Sequence, residues 1–118
     1  MKPAWVPAVD HVGEFVQANL GGVKQIEAIA TQGRYDFSQW VTSYKFAYSV
    51  VDDDDVTYDY VMNADDDTNE RVFSGNSDGN TVVVNDVIPP IAASRYVRLY
   101  PQTYQTRMAL RWEVYGCT

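Results

Sequence analysis

Between positions 31 and 40 the sequence reads TQGRYDFSQW, a stretch with the means to grip a ligand. Arg34 offers a planar fork of N–H donors, and Tyr35, Phe37 and Trp40 offer large rings. Such rings stack on sugar faces, enter apolar lipid regions and anchor protein contacts alike. The chemistry is therefore recognition, without a reaction implied. Trp40 abuts a strand and reads first as a core residue, whereas Arg34, Tyr35 and Phe37 read as surface. A second polar group, Ser74, Gly75, Asn76 and Ser77, brings hydroxyls and an amide, and reads equally as a wall of a site and as a plain turn. Gln102 and Tyr104 are weaker candidates on a further loop.

Catalysis finds little support. His11 is the only histidine, so Ser/His/Asp or Cys/His chemistry would have to pass through it. No motif surrounds His11, and Cys117 lies at the far terminus. No Cys/His cluster has zinc spacing, and no glycine-rich phosphate loop precedes a helix. The expectation is a non-enzyme without a cofactor. The acidic runs, Asp52, Asp53, Asp54 and Asp55 and then Asp65, Asp66 and Asp67, could offer oxygens to Ca²⁺, which takes about six to eight. No Asp-x-Asp-x-Asp-Gly loop is present, so a solvated acidic surface is favoured over a Ca²⁺ site.

The elements that must position these residues are short strands. Residues 15–19 alternate as one, Leu20, Gly21 and Gly22 read as a turn, and residues 23–31 follow with Ile26, Ala28 and Ala30 on one face. Residues 31–40 are a loop. Residues 41–50 alternate, with Val41, Ser43, Lys45 and Ala47 opposite Tyr44, Phe46 and Tyr48. The Asp52 to Asp55 run is a turn, because like charges repel in any regular element. Residues 56–61 form a strand, 63–69 a second acidic loop, 71–73 a short strand and 74–80 a loop. Residues 81–87 are β-branched and strand-like, and Pro89 and Pro90 end them. Residues 94–100 and 108–115 close the pattern. No window carries a capped 3.6-residue period, so the fold class is all-β, a sandwich or barrel.

Bulk properties agree. At 118 residues the chain is sized for one domain, 1–118, and 46% hydrophobic with 14% aromatic content suits a packed globule. No apolar stretch approaches the roughly 20 residues of a membrane helix, and the N-terminus lacks an apolar signal core. A net charge of −7 disfavours nucleic acid and purely electrostatic docking on anionic lipid. One cysteine rules out an intrachain disulfide.

An ordered series of phrases carries a resemblance. FVQANLGG, then IATQGRYDFSQWVTSYKFAYS, VFSGNSDGNTVVVN, IPPIAASRYVRLYPQTY and MALRWEVYGC resemble, in register, the signatures of the discoidin (factor V/VIII type C) family. The match runs from about Trp5 to Cys117. The resemblance implies a discoidin-like distorted jelly-roll β-sandwich, of the galactose-binding-domain-like kind and usually extracellular. Its members bind phospholipid head groups, glycans, collagen or other proteins through loops at one end. It also places the segment 5–13 beside the Thr-Gln-Gly loop, so that Trp5 reads equally as a wall of the same cleft and as a core plug.

Three departures stand out. The family begins several tens of residues earlier, with a cysteine that pairs with the one matched by Cys117, so the resemblance implies an N-terminally shortened sandwich with an uncovered sheet edge. Such an edge invites pairing with another chain, a homo-oligomer among the outcomes. The family's Asp in the first strand motif is Asn19, and Ala47 stands where members that clamp a C-terminal arginine carry an acidic group. The expected function is an extracellular adhesion module that recognises a glycan or protein ligand. The contact residues are drawn from Trp5, Arg34, Tyr35, Phe37, Trp40, Ser74 and Asn76. Phosphatidylserine binding ranks below it, because Arg34 is the only cation of the aromatic loop and twin leucines are lacking. A self-associating scaffold without a ligand is the further alternative.

Overall fold

A computed structural model describes residues 4–34, 37–52, 58–63, 65 and 68–117. Among them every regular element is a strand: β1 (Val16–Gln32), β2 (Trp40–Ser49), β3 (Asp59–Tyr60), β4 (Phe73–Ser74), β5 (Val83–Gln105) and β6 (Arg111–Cys117). All pairings between these strands are antiparallel, in the order β3-β2-β5-β1-β6, with β4 also against β2.

Two long strands make this one path into two layers. The first half of β1 pairs with the second half of β5, Val16 opposite Leu99 and Asn19 opposite Tyr96, and that stretch of β5 pairs onward with β2. The second half of β1 pairs with the start of β5, Ala28 opposite Asp86 and Thr31 opposite Val83, and with β6 on its other side. Strands that bend from one layer into the other form the corners of such sandwiches. The layers close on a single core of Ile26 and Ile29 from β1, Tyr44 and Phe46 from β2, Val97 and Leu99 from β5, and Leu110 ahead of β6. Across it Phe46 of β2 meets Trp112 of β6 edge-on, with ring centroids 6.3 Å apart. The fold is the all-β jelly-roll sandwich expected.

The corners correct three expectations. Leu20, Gly21 and Gly22 do not reverse the chain. They lie within β1, where residues 20–23 stand against Arg95 alone between the pairs Asn19–Tyr96 and Lys24–Ser94. Gly21 takes φ +82°, and its N–H is held by Asn19 Oδ1 at 2.9 Å. This is a bulge that bends the strand. Nor do Pro89 and Pro90 end a strand. β5 runs through them, because residues 87–90 fall between the pairs Asp86–Ala28 and Ile91–Ile26 where no ladder bond is asked of them. Finally, the shift between Ile26 and Ala28 changes the parity of β1, so that Ile26 and Ile29 are fully buried and Ala28 is not. Smaller differences follow the same logic. Gln102 and Tyr104 belong to β5 and not to a loop, and β6 starts at Arg111, after a buried, non-strand Met108 and Ala109. The residues expected as a strand at 56–61 reduce, among those described, to β3.

Candidate functional site

At one end of the sandwich two loops meet. The first leaves β1 and enters β2. It closes on itself as Arg34 N donates to the Gln39 carbonyl at 2.9 Å and Phe37 N to the Arg34 carbonyl at 3.3 Å. This tight return leaves Phe37 half exposed at 50% and places Trp40, the first residue of β2, beside it. The second loop precedes β5 and is organised by Asp78, whose carboxylate accepts Asn80 N at 2.9 Å, Thr81 N at 2.7 Å and the Thr81 hydroxyl at 2.6 Å. These bonds, the Thr81 hydroxyl foremost, hold the Asp78 carboxyl below the usual carboxylate range, so it is ionised at neutral pH.

Between the loops lies a cleft of about 600 Å³, with Phe37, Ser38 and Trp40 on one side and Asp78, Gly79, Asn80 and Thr81 on the other. Arg111 of β6 ties the loops together from beneath. Its Nε donates to the Gly33 carbonyl at 2.9 Å, and its Nη2 to the Gly79 carbonyl at 3.1 Å and to Asn80 Oδ1 at 3.3 Å. The loops come so close that a Cβ on Gly79 would meet the Arg34 carbonyl oxygen at 2.7 Å, and one on Gly33 the Trp40 Cβ at 2.7 Å. The result is an aromatic wall facing a polar one that carries a fixed anion, the composition of a pocket for a polar ligand with apolar faces.

The expected contact residues divide. Phe37 and Trp40 share this cleft. Arg34 stands at its edge. Its guanidinium lies 4.1 Å from the Phe37 ring centroid and its Nη1 donates to Gln39 Oε1 at 3.3 Å, while it also borders a second hollow with Arg107 and residues 6–8. Tyr35 lies outside the described residues. Trp5 stands elsewhere, bonded through its backbone to Leu110 and lining a groove with Trp112. Ser74 is exposed on β4, its backbone paired opposite Ser43 and its carbonyl accepting from Asn85 Nδ2. Asn76, 3% exposed, turns inward and donates from Nδ2 to the carbonyls of Thr31 at 3.0 Å and Thr81 at 2.9 Å, so it fastens the second loop from inside.

Asp78, Asn80, Thr81 and Arg111 were not among the expected contacts. The Asp78-x-Asn80-Thr81 run is an Asx-type turn visible in sequence, but nothing local says that Arg111, more than thirty residues on, reaches it. Of the other residues weighed, His11 is at the surface with Nδ1 3.5 Å from Glu14 Oε1. Asp52 accepts from Tyr58 and Gln17, each at 3.1 Å. Asp53, Asp54, Asp55, Asp66 and Asp67 lie outside the described residues, among which no three His, Cys, Asp or Glu side chains gather to hold a metal. Arg98 lies 4.3 Å from the Phe15 ring centroid and 3.9 Å from that of Tyr58, and its Nε donates to Gln17 Oε1 at 2.7 Å.

Residues 1–114 match the model of the F5/8 type C domain. The chain belongs to that family. Discoidin-2 of Dictyostelium discoideum is 38% identical over 113 residues, which are 96% of this chain and 40% of that protein. Mouse (Mus musculus) retinoschisin is 37% identical over 114 residues, 97% of this chain and 49% of its own. The chain thus spans less than half the length of these relatives. Among solved structures, wild-type discoidin II from Dictyostelium discoideum superposes with a TM-score of 0.80 at 36% identity, covering 96% of this chain and 40% of that one. CBM32-1 from a family 31 glycoside hydrolase of Clostridium perfringens shares the fold, with a TM-score of 0.67 at 16% identity over 96% of this chain and 76% of the other. The sandwich, its bent strands and its loop-bearing end are therefore those of an F5/8 type C domain.

Proposed function

We propose that this F5/8 type C domain is an extracellular, non-catalytic binding module that holds a glycan, or a polar segment of a protein, between the two loops at one end. The cleft of about 600 Å³ between Phe37 and Trp40 on one side and Asp78, Asn80 and Thr81 on the other carries the reading. A sugar presents an apolar ring face and a rim of hydroxyls. The aromatic wall suits the first, and the ionised Asp78 with its polar neighbours suits the second. The same fixed anion repels phosphate head groups, and the cations beside the cleft are already engaged, Arg34 over Phe37 and with Gln39, and Arg111 with the carbonyls of Gly33 and Gly79. A lipid surface therefore ranks second.

Immobilised neutral and acidic oligosaccharides, and vesicles containing phosphatidylserine, would be offered to the chain at physiological salt. Retention on one or more glycans is expected, with Phe37→Ala and Trp40→Ala each weakening it about tenfold or more while the thermal midpoint of Phe37→Ala stays near that of the parent. Retention on vesicles alone, or glycan binding untouched by both substitutions, would move the site away from this cleft.

A further inference from the structure

Two tyrosines from different strands meet on the outer face of the layer that holds β3, β2 and the second half of β5. Tyr44 and Phe46 of β2 point into the core, so Lys45 and Ala47 point outward. Residues directly opposite each other across a ladder share a face. Tyr60 of β3 stands opposite Ala47 on one side of β2, and Tyr100 of β5 stands opposite Lys45 on the other. Both rings therefore rise on the outer face. Strands on either side of a third are about 9.5 Å apart. The two ring centroids are only 5.4 Å apart, their planes tilted by 37°, so the rings incline toward each other over β2, where Ala47 is fully buried. On the β1 side Phe15 packs on Tyr100 with centroids 5.2 Å apart, and Arg98 Nη1 donates to the Tyr100 hydroxyl at 3.3 Å. Both tyrosines stay half-buried. The Tyr60 hydroxyl is pushed up to about 12, first by desolvation and then by the adjoining Tyr100.

We propose that Tyr60 and Tyr100 form a site of oxidative cross-linking, joined ring to ring by a haem peroxidase with hydrogen peroxide. The chain has nine tyrosines, and among the described residues these two make the one contact between tyrosine rings. The others are placed for different ends. Tyr44 stacks on Phe73 inside the core, Tyr58 gives its hydroxyl to Asp52 at 3.1 Å, and Tyr104 and Tyr115 are exposed at 39% and 46% with no tyrosine ring against them. Coupling needs two phenoxyl rings held side by side, and here the ladders of β2 to β3 and to β5 hold them. In the reaction each phenol gives up one electron and its hydroxyl proton. The two electrons and two protons reduce one hydrogen peroxide, whose O–O bond breaks to give two waters. The two radicals form a C–C bond between ring carbons ortho to oxygen. The hydrogens on those carbons then move to the oxygens, so both phenols are restored and the chain has lost two hydrogens. The new bond pins β3, which the ladder holds to β2 through only two residue pairs. It also closes a loop from residue 60 to residue 100 and so removes conformations from the unfolded chain. The loop cleft at Phe37 and Trp40 takes no part, so the cross-link and ligand capture are separable.

The test exposes the purified chain, at low concentration, to a haem peroxidase and limiting hydrogen peroxide. Dityrosine fluorescence is expected in the monomer, with a mass lower by two hydrogens and a proteolytic product in which the peptides carrying Tyr60 and Tyr100 are joined. Tyr60→Phe and Tyr100→Phe should each abolish the monomer's fluorescence. Tyr104→Phe and Tyr115→Phe, which remove more exposed rings, should leave it unchanged. Oxidation of the parent in urea, with the ladders broken, should show no preference for this pair. The linked monomer should melt about 5 °C or more above the unlinked one. No link within the monomer, a link mapped to another pair, links between chains alone, or an equal yield of the 60–100 link in urea overturns the proposal. A linked monomer that melts no higher overturns the pinning of β3.

Discussion

Asp78 shows how one side chain shapes a surface through the loop it organises. It spends its carboxylate on Asn80 and Thr81, and so fixes the polar wall opposite Phe37 and Trp40. Its pKa lies below that of an ordinary carboxylate, so the support it lends is present above the unfolded value and is lost as pH falls through the lowered one. Exchange protection of the Asn80 and Thr81 amides should accordingly hold down through the ordinary carboxylate range near about pH 4 and fail only below it. Asp78→Ala should lose that protection already at neutral pH. Asn76 is the neighbouring lesson. As a sequence feature it is an exposed-looking amide in a Ser/Gly/Asn turn, but the structure spends both of its N–H donors on the buried carbonyl of Thr31 and on that of Thr81. An amide's role follows from what it faces, which local sequence does not state.

For the elements, the instructive positions are the two corners. Gly21, Gly22, Pro89 and Pro90 carry strong turn signals. In this fold the same signals bend strands that continue, because the partner strand bends with them and pairing resumes at Lys24–Ser94 and Ile26–Ile91. The two glycines of β1 are not equivalent. Gly21 alone of the pair has positive φ, at +82°, and a Cβ on either would meet open space. Gly21→Ala should therefore cost about 1 kcal/mol or more through backbone strain, whereas Gly22→Ala should be close to neutral. Urea denaturation of the two variants beside the parent checks this, and equal effects would mean that the bend is not anchored at Gly21.

Seen whole, the sandwich depends on aromatic side chains buried between the layers, and one of them makes stability sensitive to alkali. Burial pushes the Tyr44 hydroxyl from 10.0 to about 12, against the opposing help of its bond from Asn85. Tyr60 is likewise raised to about 12, first by desolvation and then by Tyr100. A raised folded pKa means that the fold prefers the neutral phenol. The stabilisation is whole below pH 10 and is lost as the pH climbs toward 12. The thermal midpoint should fall across that window, and Tyr44→Phe should flatten part of the fall, by an amount of order 1 kcal/mol per pH unit. A slope unchanged in Tyr44→Phe would assign it to Tyr60 and the other raised tyrosines.

What the sequence determined by itself is what rests on short-range pattern. The alternation of Tyr44, Phe46 and Tyr48, the β-branched run at 81–87 and the lack of any 3.6-residue period fix an all-β chain, and five phrases in register point to the F5/8 type C family. Phe37 was legible as a surface ring in a polar, glycine-containing loop, whereas Trp40, next to a strand, read first as a core residue. What only the tertiary structure decided is whatever depends on two segments far apart meeting. Whether Gly21 and Pro89 stop a strand or bend it depends on the strand alongside. That Trp5 faces Trp112 and not Trp40 depends on its backbone pairing with Leu110. That Arg111 closes the cleft from below depends on β6 lying against β1. Side-chain type and spacing set local preference, but which preference prevails is settled by long-range pairing and burial, energies that exist only once the two layers have closed on their core.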